Sequence, residues 1–486
     1  MSLSATIQTP TVTYEQPLGL FINNQFVKGT QGKTFETINP TNGKPIIAVH
    51  EATQQDVDIA VNAARAAFEG AWRKVTPSDR GRKLVRLADL FERDMEILAA
   101  IEALDNGKAV TMAKGDITNA AACLRYYGGW SDKIHGQNID TDPETLTYTR
   151  HEPIGLLMWA WKIGPAVATG NTVVLKTAEQ TPLSALYAAK LIVEAGFPPG
   201  VVNILSGFGR VAGAAIASHM DVDKVAFTGS TVVGRTILKA AADSNLKKVT
   251  LELGGKSPNI IFDDADLDNA VLWAHFGIFF NHGQCCSAGS RLLVQEGIHD
   301  EFVAKFKQRA AQSKLGDPFK GDTYQGPQVS QLQFDRIMEY IDSGKAEGAT
   351  LALGGSRFGD EGYFIQPTVF TDVTTDMKIA REEIFGPVVT IQKFKDEADA
   401  VRIGNQTSYG LAGAVFTQNV NRAARVSNSL RAGTVWINNY GILSHQAPFG
   451  GFKESGIGRE LGSYALENYT QVKTVRYRID DAPPAV

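Results

Sequence analysis

From residue 156 to residue 253, helical patterns and short apolar runs take turns, and this alternation constrains the fold more than any other feature of the chain. Residues 156–168 read as a helix, 172–176 as a buried strand, 182–195 as a helix and 201–205 as a strand. A helix over 212–219, a strand over 224–228, a helix over 231–242 and a strand over 248–253 follow. Parallel strands cannot be joined by tight turns; each needs a crossover, which a helix supplies. Strands that are continuously apolar rather than alternating are buried on both faces. The expected fold class is therefore α/β, with a Rossmann-type parallel sheet at its centre.

A chain of 486 residues exceeds one ordinary core, so two or three domains are expected. Beyond residue 260 the alternation resumes with new spacing: a helix over 267–280, a strand over 291–295, a helix over 298–313, then strands over 363–370 and 388–394. This reads as a second α/β domain. Upstream, residues 53–70 form an amphipathic helix with Thr53 and Asp56 as a capping pair, and 78–105 is a longer helical region. Turn signals at His135-Gly136-Gln137 and Asp142-Pro143 frame a hairpin, with alternation at 146–149. The segment 475–479 alternates like an edge strand and is expected to pair with that hairpin or with another subunit.

A formal net charge of −4 gives no electrostatic reason to expect a nucleic acid partner. No run of 18 apolar residues is present, so no membrane span is expected. The first arginine is Arg65, the N-terminal residues lack an apolar signal core, and the C-terminal residues match no address tripeptide. Three cysteines in so long a chain argue for a reducing compartment, with the cytoplasm as the expectation.

Two of those cysteines stand together in Gly283-Gln284-Cys285-Cys286-Ser287. On the residues alone they fit small core fillers, metal ligands, a vicinal disulfide or a nucleophile. Zinc sites want paired Cys and His ligands at short spacing, and only Cys123 and scattered histidines remain, so no metal is expected. Some thirty residues upstream, Glu252 ends an apolar strand before Gly254-Gly255. A carboxylate in such surroundings is expensive to bury as an ion, which suggests a raised pKa and general-base use; reaching solvent past the strand end is the alternative. Phe227-Thr228-Gly229-Ser230-Thr231 ends a strand and opens a helix, with Gly234 one turn in and a similar turn at Ser206–Gly209. Unpaired N–H groups at such a helix start suit a pyrophosphate, although many structural turns look alike. Lys176 and Glu179 end the first strand, where a dinucleotide ribose would sit; a surface ion pair is the alternative.

These motifs, with Glu382-Glu383-Ile384-Phe385-Gly386-Pro387 and Pro448-Phe449-Gly450-Gly451-Phe452-Lys453, resemble the NAD-dependent aldehyde dehydrogenases from about residue 18 to 475, nearest to the fungal cytosolic tetrameric kind. The resemblance implies an NAD-binding domain over 1–134 and 154–253, a catalytic domain over 254–455 and an oligomerisation element over 135–153 and 470–479. It implies that Cys286 attacks a small aldehyde, that Glu252 activates water against the resulting thioester, and that Lys176 and Glu179 clamp the adenosine ribose of NAD. Ser230, with Gly209, Gly229 and Gly234, would face the pyrophosphate, and Glu383 and Phe385 the nicotinamide end. Met158, Trp161, Leu443 and Phe449 would line the substrate tunnel, and the assembly would be a homotetramer.

One departure stands out. In the family, a strand ending in proline–tryptophan–asparagine lies between the hairpin and the first helix of the parallel run. Here His151-Glu152-Pro153-Ile154-Gly155 runs straight into Leu156-Leu157-Met158-Trp159. About ten residues, one strand and a turn, are absent. The resemblance makes that asparagine a donor to the reacting oxyanion, and loss of one such donor costs about 10²–10³ in rate. An impaired aldehyde dehydrogenase is therefore expected. A non-catalytic subunit or binder, and a cofactor-free thiol esterase, are the other readings.

Overall fold

The computed structural model describes residues 2–142, 144–153 and 159–479. The expected alternation is present: strands Val173–Lys176, Val202–Leu205, Lys224–Thr228 and Lys248–Glu252, with helices Trp159–Ala168, Leu183–Glu194 and Thr231–Ala242. The 212–219 helix opens differently, as a π turn over Gly209–Gly213 before Ala214–Ser218.

These strands do not form one sheet. Val173–Lys176 ends a four-stranded sheet, beside Val202–Leu205 and then Leu20–Ile22 and Gln25–Val27. Lys224–Thr228 ends a separate three-stranded sheet with Lys248–Glu252 and Gly456–Ile457. Doubly wound sheets place their first strand between the second and the fourth. In this chain Val173–Lys176 and Lys224–Thr228 end separate sheets, and no strand joins them among the described residues. Val173 and Thr177 donate to Val201 and Leu205 at 2.7 and 3.0 Å, so Val174, only 3% exposed, turns its N–H and C=O to the opposite side. The insertion point expected from sequence, between Gly155 and Leu156, lies with Ile154–Met158 outside the described residues.

The second α/β unit is a seven-stranded sheet in the order Thr350–Leu353, Thr368–Thr371, Val388–Phe394, Arg291–Gln295, Pro258–Ile261, Ala412–Phe416, Thr434–Ile437. All neighbours pair in parallel except Thr350–Leu353. The expected strand over 363–370 is a correction: it begins only at Thr368. Tyr363 spends its backbone groups on Pro40 and Gln328 instead, and Pro367 has no N–H to give a ladder. The 78–105 region is likewise two helices, Pro77–Arg93 and Met95–Asp105. They part at Asp94, whose carboxylate accepts from the Tyr187 hydroxyl at 2.9 Å and from Arg93 Nε at 2.8 Å. Thr53 and Asp56 close a capping box on Gln54–Glu69 as expected. The Val110–Trp130 helix, which packs on Pro77–Arg93, lies in a stretch the sequence reading left unassigned.

The edge strand expected near the C-terminus spans Thr470–Arg478 and pairs antiparallel with Thr145–Pro153, which in turn pairs with Asn138–Asp142. No helix among the described residues is long and apolar enough to cross a membrane.

Candidate active site

Glu252 closes its strand 5% exposed, beside Gly450, where any Cβ would come within 2.8 Å of Glu252 Oε1. Burial pushes the Glu252 carboxyl up to about 8, against the partial counter-pull of Lys162 and Arg459. Gly254 and Gly255 are glycines for steric reasons. A Cβ on Gly254 would strike the Glu383 carboxylate, and one on Gly255 the Cys286 carbonyl. The turn after Glu252 is therefore the floor on which Cys286 and Glu383 both rest.

Cys286 follows a helix ended by two left-handed residues, Asn281 at φ 49° and His282 at φ 59°. His282 is buried, accepts the Gly326 N–H at 2.9 Å on Nδ1, and is held down to about 3 chiefly by burial. Gln284 accepts the Val329 N–H at 3.1 Å. These bonds fix the loop that presents the paired thiols. Cys286 is half-buried and packs at the rim of the core that holds Phe449 and Trp161. The adjacent Cys285 sulfur, burial and the nearby Glu383 and Glu252 carboxylates hold it well above the ordinary thiol range. Cys285 is drawn below that range, chiefly by the Cys286 and Ser287 side chains. Among the described residues no cluster of three or more His, Cys, Asp or Glu could hold a metal ion.

Glu383 sits over the same turn, accepting the Gly255 N–H at 3.2 Å, with burial pushing it up to about 7. Phe385 holds φ at 57°, a left-handed conformation that a bulky residue adopts only under strain. Its carbonyl accepts from Gln333 at 2.9 Å, and Gly283 abuts the adjoining Gly386. The loops carrying Cys286 and Glu383 are thus in direct contact. Trp161 and Phe449 meet edge to face with ring centroids 5.7 Å apart. Leu443 lies on a loop, 41% exposed, and Met158 lies outside the described residues.

At the C-terminal end of the Val173–Lys176 strand, Lys176 Nζ donates to Glu179 at 3.2 Å, to the Thr177 carbonyl at 2.6 Å and to the Gly207 carbonyl at 2.9 Å. This draws the Gly209 turn alongside the Lys176–Glu179 pair. The glycines after Phe227 are less specific. Gly229 makes room for the Phe227 ring, and Gly234 packs the Thr231–Ala242 helix against Leu253. Ser230 caps that helix by accepting the Val233 N–H at 3.4 Å, while Ser230 and Val232 stay exposed, so the helix start faces open space.

Two residues escaped the sequence reading. Lys162, on the Trp159–Ala168 helix, is 2% exposed and ion-paired to the equally buried Glu460. Burial pulls Lys162 down to about 7, opposed by the Glu252 and Cys286 charges it faces. Glu460 reaches the site because Phe449 and Glu460 exchange backbone hydrogen bonds of 2.7 Å. A lone lysine within an apolar helix was the available signal; its partner, almost three hundred residues away, gave none.

A carboxylate with a raised pKa, a thiol and an apolar slot, beyond the C-terminal ends of parallel strands, define a covalent-catalysis enzyme on a dinucleotide-type sheet. The chain belongs to the aldehyde dehydrogenase family, whose model matches residues 26–475. It is 75% identical over 491 residues to an aldehyde dehydrogenase of Emericella nidulans, covering 99% of each chain. It is 56% identical over 492 residues to human mitochondrial aldehyde dehydrogenase, covering 98% of this chain and 95% of that protein. Both alignments are longer than the 486 residues of this chain, so each relative carries residues that this chain lacks. Among solved structures, the NAD+ complex of an aldehyde dehydrogenase from Bacillus cereus superposes with a TM-score of 0.94 at 52% identity, covering 95% of this chain and 97% of that one.

Proposed function

We propose that the chain oxidises a small apolar aldehyde to its carboxylic acid with NAD, through a thiohemiacetal and then a thioester on Cys286. The observation that carries this reading is the single turn, Glu252 to Gly255, which seats Cys286 and Glu383 together. Trp161 and Phe449 wall the aldehyde's side chain in apolar surface, leaving its carbonyl to the thiol. Cys286 must give up its proton before it adds to that carbonyl; the Cys285 sulfur and the Glu252 carboxylate are the bases at hand. The residues present fit NAD: Lys176 and Glu179 suit the adenosine ribose, the open helix start at Ser230 the pyrophosphate, and Glu383 the second ribose. Glu179 disfavours a 2′-phosphate by like charge, which favours NAD over NADP. NAD held by these residues would supply the hydride acceptor. Glu252, once ionised, draws a proton from the water that attacks the thioester. The thiolate then departs as the acid leaves.

The reading includes impairment. The interrupted central sheet and the alignment lengths support the absence of one strand, and with it a side-chain donor to the oxyanion. The Cys286 backbone N–H would remain as donor, so turnover would be about 10²–10³ below that of an intact relative. The paired strand Thr470–Arg478 suits a role in a homotetramer, and the cysteine usage suits the cytoplasm. Mixing the purified chain with NAD and acetaldehyde tests the activity. Slow growth of reduced-nicotinamide absorbance, lost in Cys286→Ala, is expected. NAD binding with no turnover would overturn it in favour of a non-catalytic subunit.

A further inference from the structure

The loop that carries Cys286 is tied down on both sides of the thiol. Upstream, His282 and Gln284 accept the N–H groups of Gly326 and Val329. Downstream, the Ala288 N–H returns to the Cys285 carbonyl and the Gly289 N–H reaches the Gly277 carbonyl, each at 3.0 Å. Between these two bonds stands the Ser287 carbonyl, one residue past the thiol. It accepts the Tyr440 hydroxyl at 2.6 Å, and no other donor reaches it among the described residues. Tyr440 is 1% exposed, and its neighbours hold its ring in place. Gly277 and Gly289 lie against that ring, where a Cβ would come within 2.8 and 3.1 Å of it. The Trp436 ring packs on it with centroids 4.8 Å apart. Burial pushes the phenol well above its ordinary range, so the hydroxyl stays protonated and donates. The segment that carries Tyr440 is itself anchored. Asn438 makes two side-chain hydrogen bonds of 3.0 Å to the Thr417 backbone, and Trp436 Nε1 donates to the Ile442 carbonyl at 2.9 Å.

We propose that Tyr440 is a positioning residue for Cys286. By holding the Ser287 carbonyl it fixes the chain just past the thiol, and so the aim of the Cys286 sulfur relative to the Cys286 N–H. The inference rests on the proposed reaction, in which that N–H is the remaining donor to the oxyanion. With a single donor, a misplaced loop has no second contact to share the loss, and a displacement of about 1 Å costs about 10² in rate elsewhere. Tyr440 is buried and acts through the backbone, so its hydroxyl is needed for orientation and not for ionising the thiol.

The test compares two modifications of Cys286 in the full-length chain, with the site of each confirmed by peptide mass spectrometry. Acylation by p-nitrophenyl acetate, timed by the burst of p-nitrophenol, passes through an oxyanion; alkylation by iodoacetamide does not. Tyr440→Phe keeps the ring and removes the hydroxyl. It should slow acylation about tenfold or more and leave alkylation within about twofold of the unaltered chain. A general loss of packing would move both rates together. Tyr187→Phe serves as the control, because it also deletes a buried hydroxyl, one that donates to Asp94, and it should leave both rates as they are. An unchanged acylation rate in Tyr440→Phe, or equal slowing of both reactions, would overturn the proposal while the proposed reaction stands. Acylation of the unaltered chain at residues other than Cys286 would overturn the proposed reaction, and this inference with it.

Discussion

Glu252 illustrates how one side chain ties sequence to mechanism. An apolar strand delivers it into the protein, and burial rather than a neighbouring anion raises its pKa to about 8. In the proposed reaction Glu252 is the general base, which works only when ionised, so turnover limited by thioester hydrolysis should rise with pH about a midpoint near 8. Glu252→Gln should lower turnover by about 10²–10⁴ and remove that rising limb, read from rates across pH 6 to 10. Lys162→Met should move the limb to higher pH, because the lysine's charge opposes the shift at Glu252. His282 contributes on the stability side. Its folded pKa, about 3, lies below its unfolded value near 6.5. Stability from keeping this imidazole neutral is full above about pH 6.5 and is lost as pH falls toward 3, which urea unfolding across that range would register. At this scale, the turns that carry Cys286, Glu252 and the Lys176–Glu179 pair are legible as local sequence pattern, while the roles proposed for them rest on the family resemblance. The Lys162–Glu460 pair is not legible, since only the fold brings its members together.

Among the elements, the interrupted parallel sheet decides most. The strands at 173–176 and 224–228 are short, and each ends its own sheet. Backbone groups such as those of Val174 face that edge in a buried setting, and a buried group left without a partner costs about 1–3 kcal/mol. If the proposed gap lies between Gly155 and Leu156, inserting there the extra residues of a relative should raise the unfolding free energy by at least about 2 kcal/mol, measured by urea denaturation. An unchanged midpoint would mean that the sheet is already complete by another route. The crossover pattern was legible because buried parallel strands are continuously apolar. Two boundaries were not. The break at Asp94 depends on a hydroxyl from Tyr187, and the late start at Thr368 on backbone bonds to Pro40 and Gln328. Both are long-range contacts that periodicity cannot register.

For the whole molecule, family membership, the two α/β units and the hairpin–tail pairing are expected from sequence, as is a strand absent from the parallel run, while the partners that each half of that sheet takes instead, Leu20–Ile22 and Gly456–Ile457, emerge only in three dimensions. The Thr470–Arg478 strand exposes Val472 and Tyr477 at 61% and 63%, apolar surface suited to a subunit contact. If the proposed homotetramer uses this strand, light scattering should find a tetramer for the full chain and smaller species when the chain stops at Asn468. The claim on which the account turns is that a covalent aldehyde-oxidising centre is present but lacks one oxyanion donor. The most direct measurement is kcat for acetaldehyde in this chain and in the variant that carries the relatives' missing residues. The account predicts low but Cys286-dependent turnover in the first and about 10²–10³ more in the second. Equal turnover in the two would contradict it.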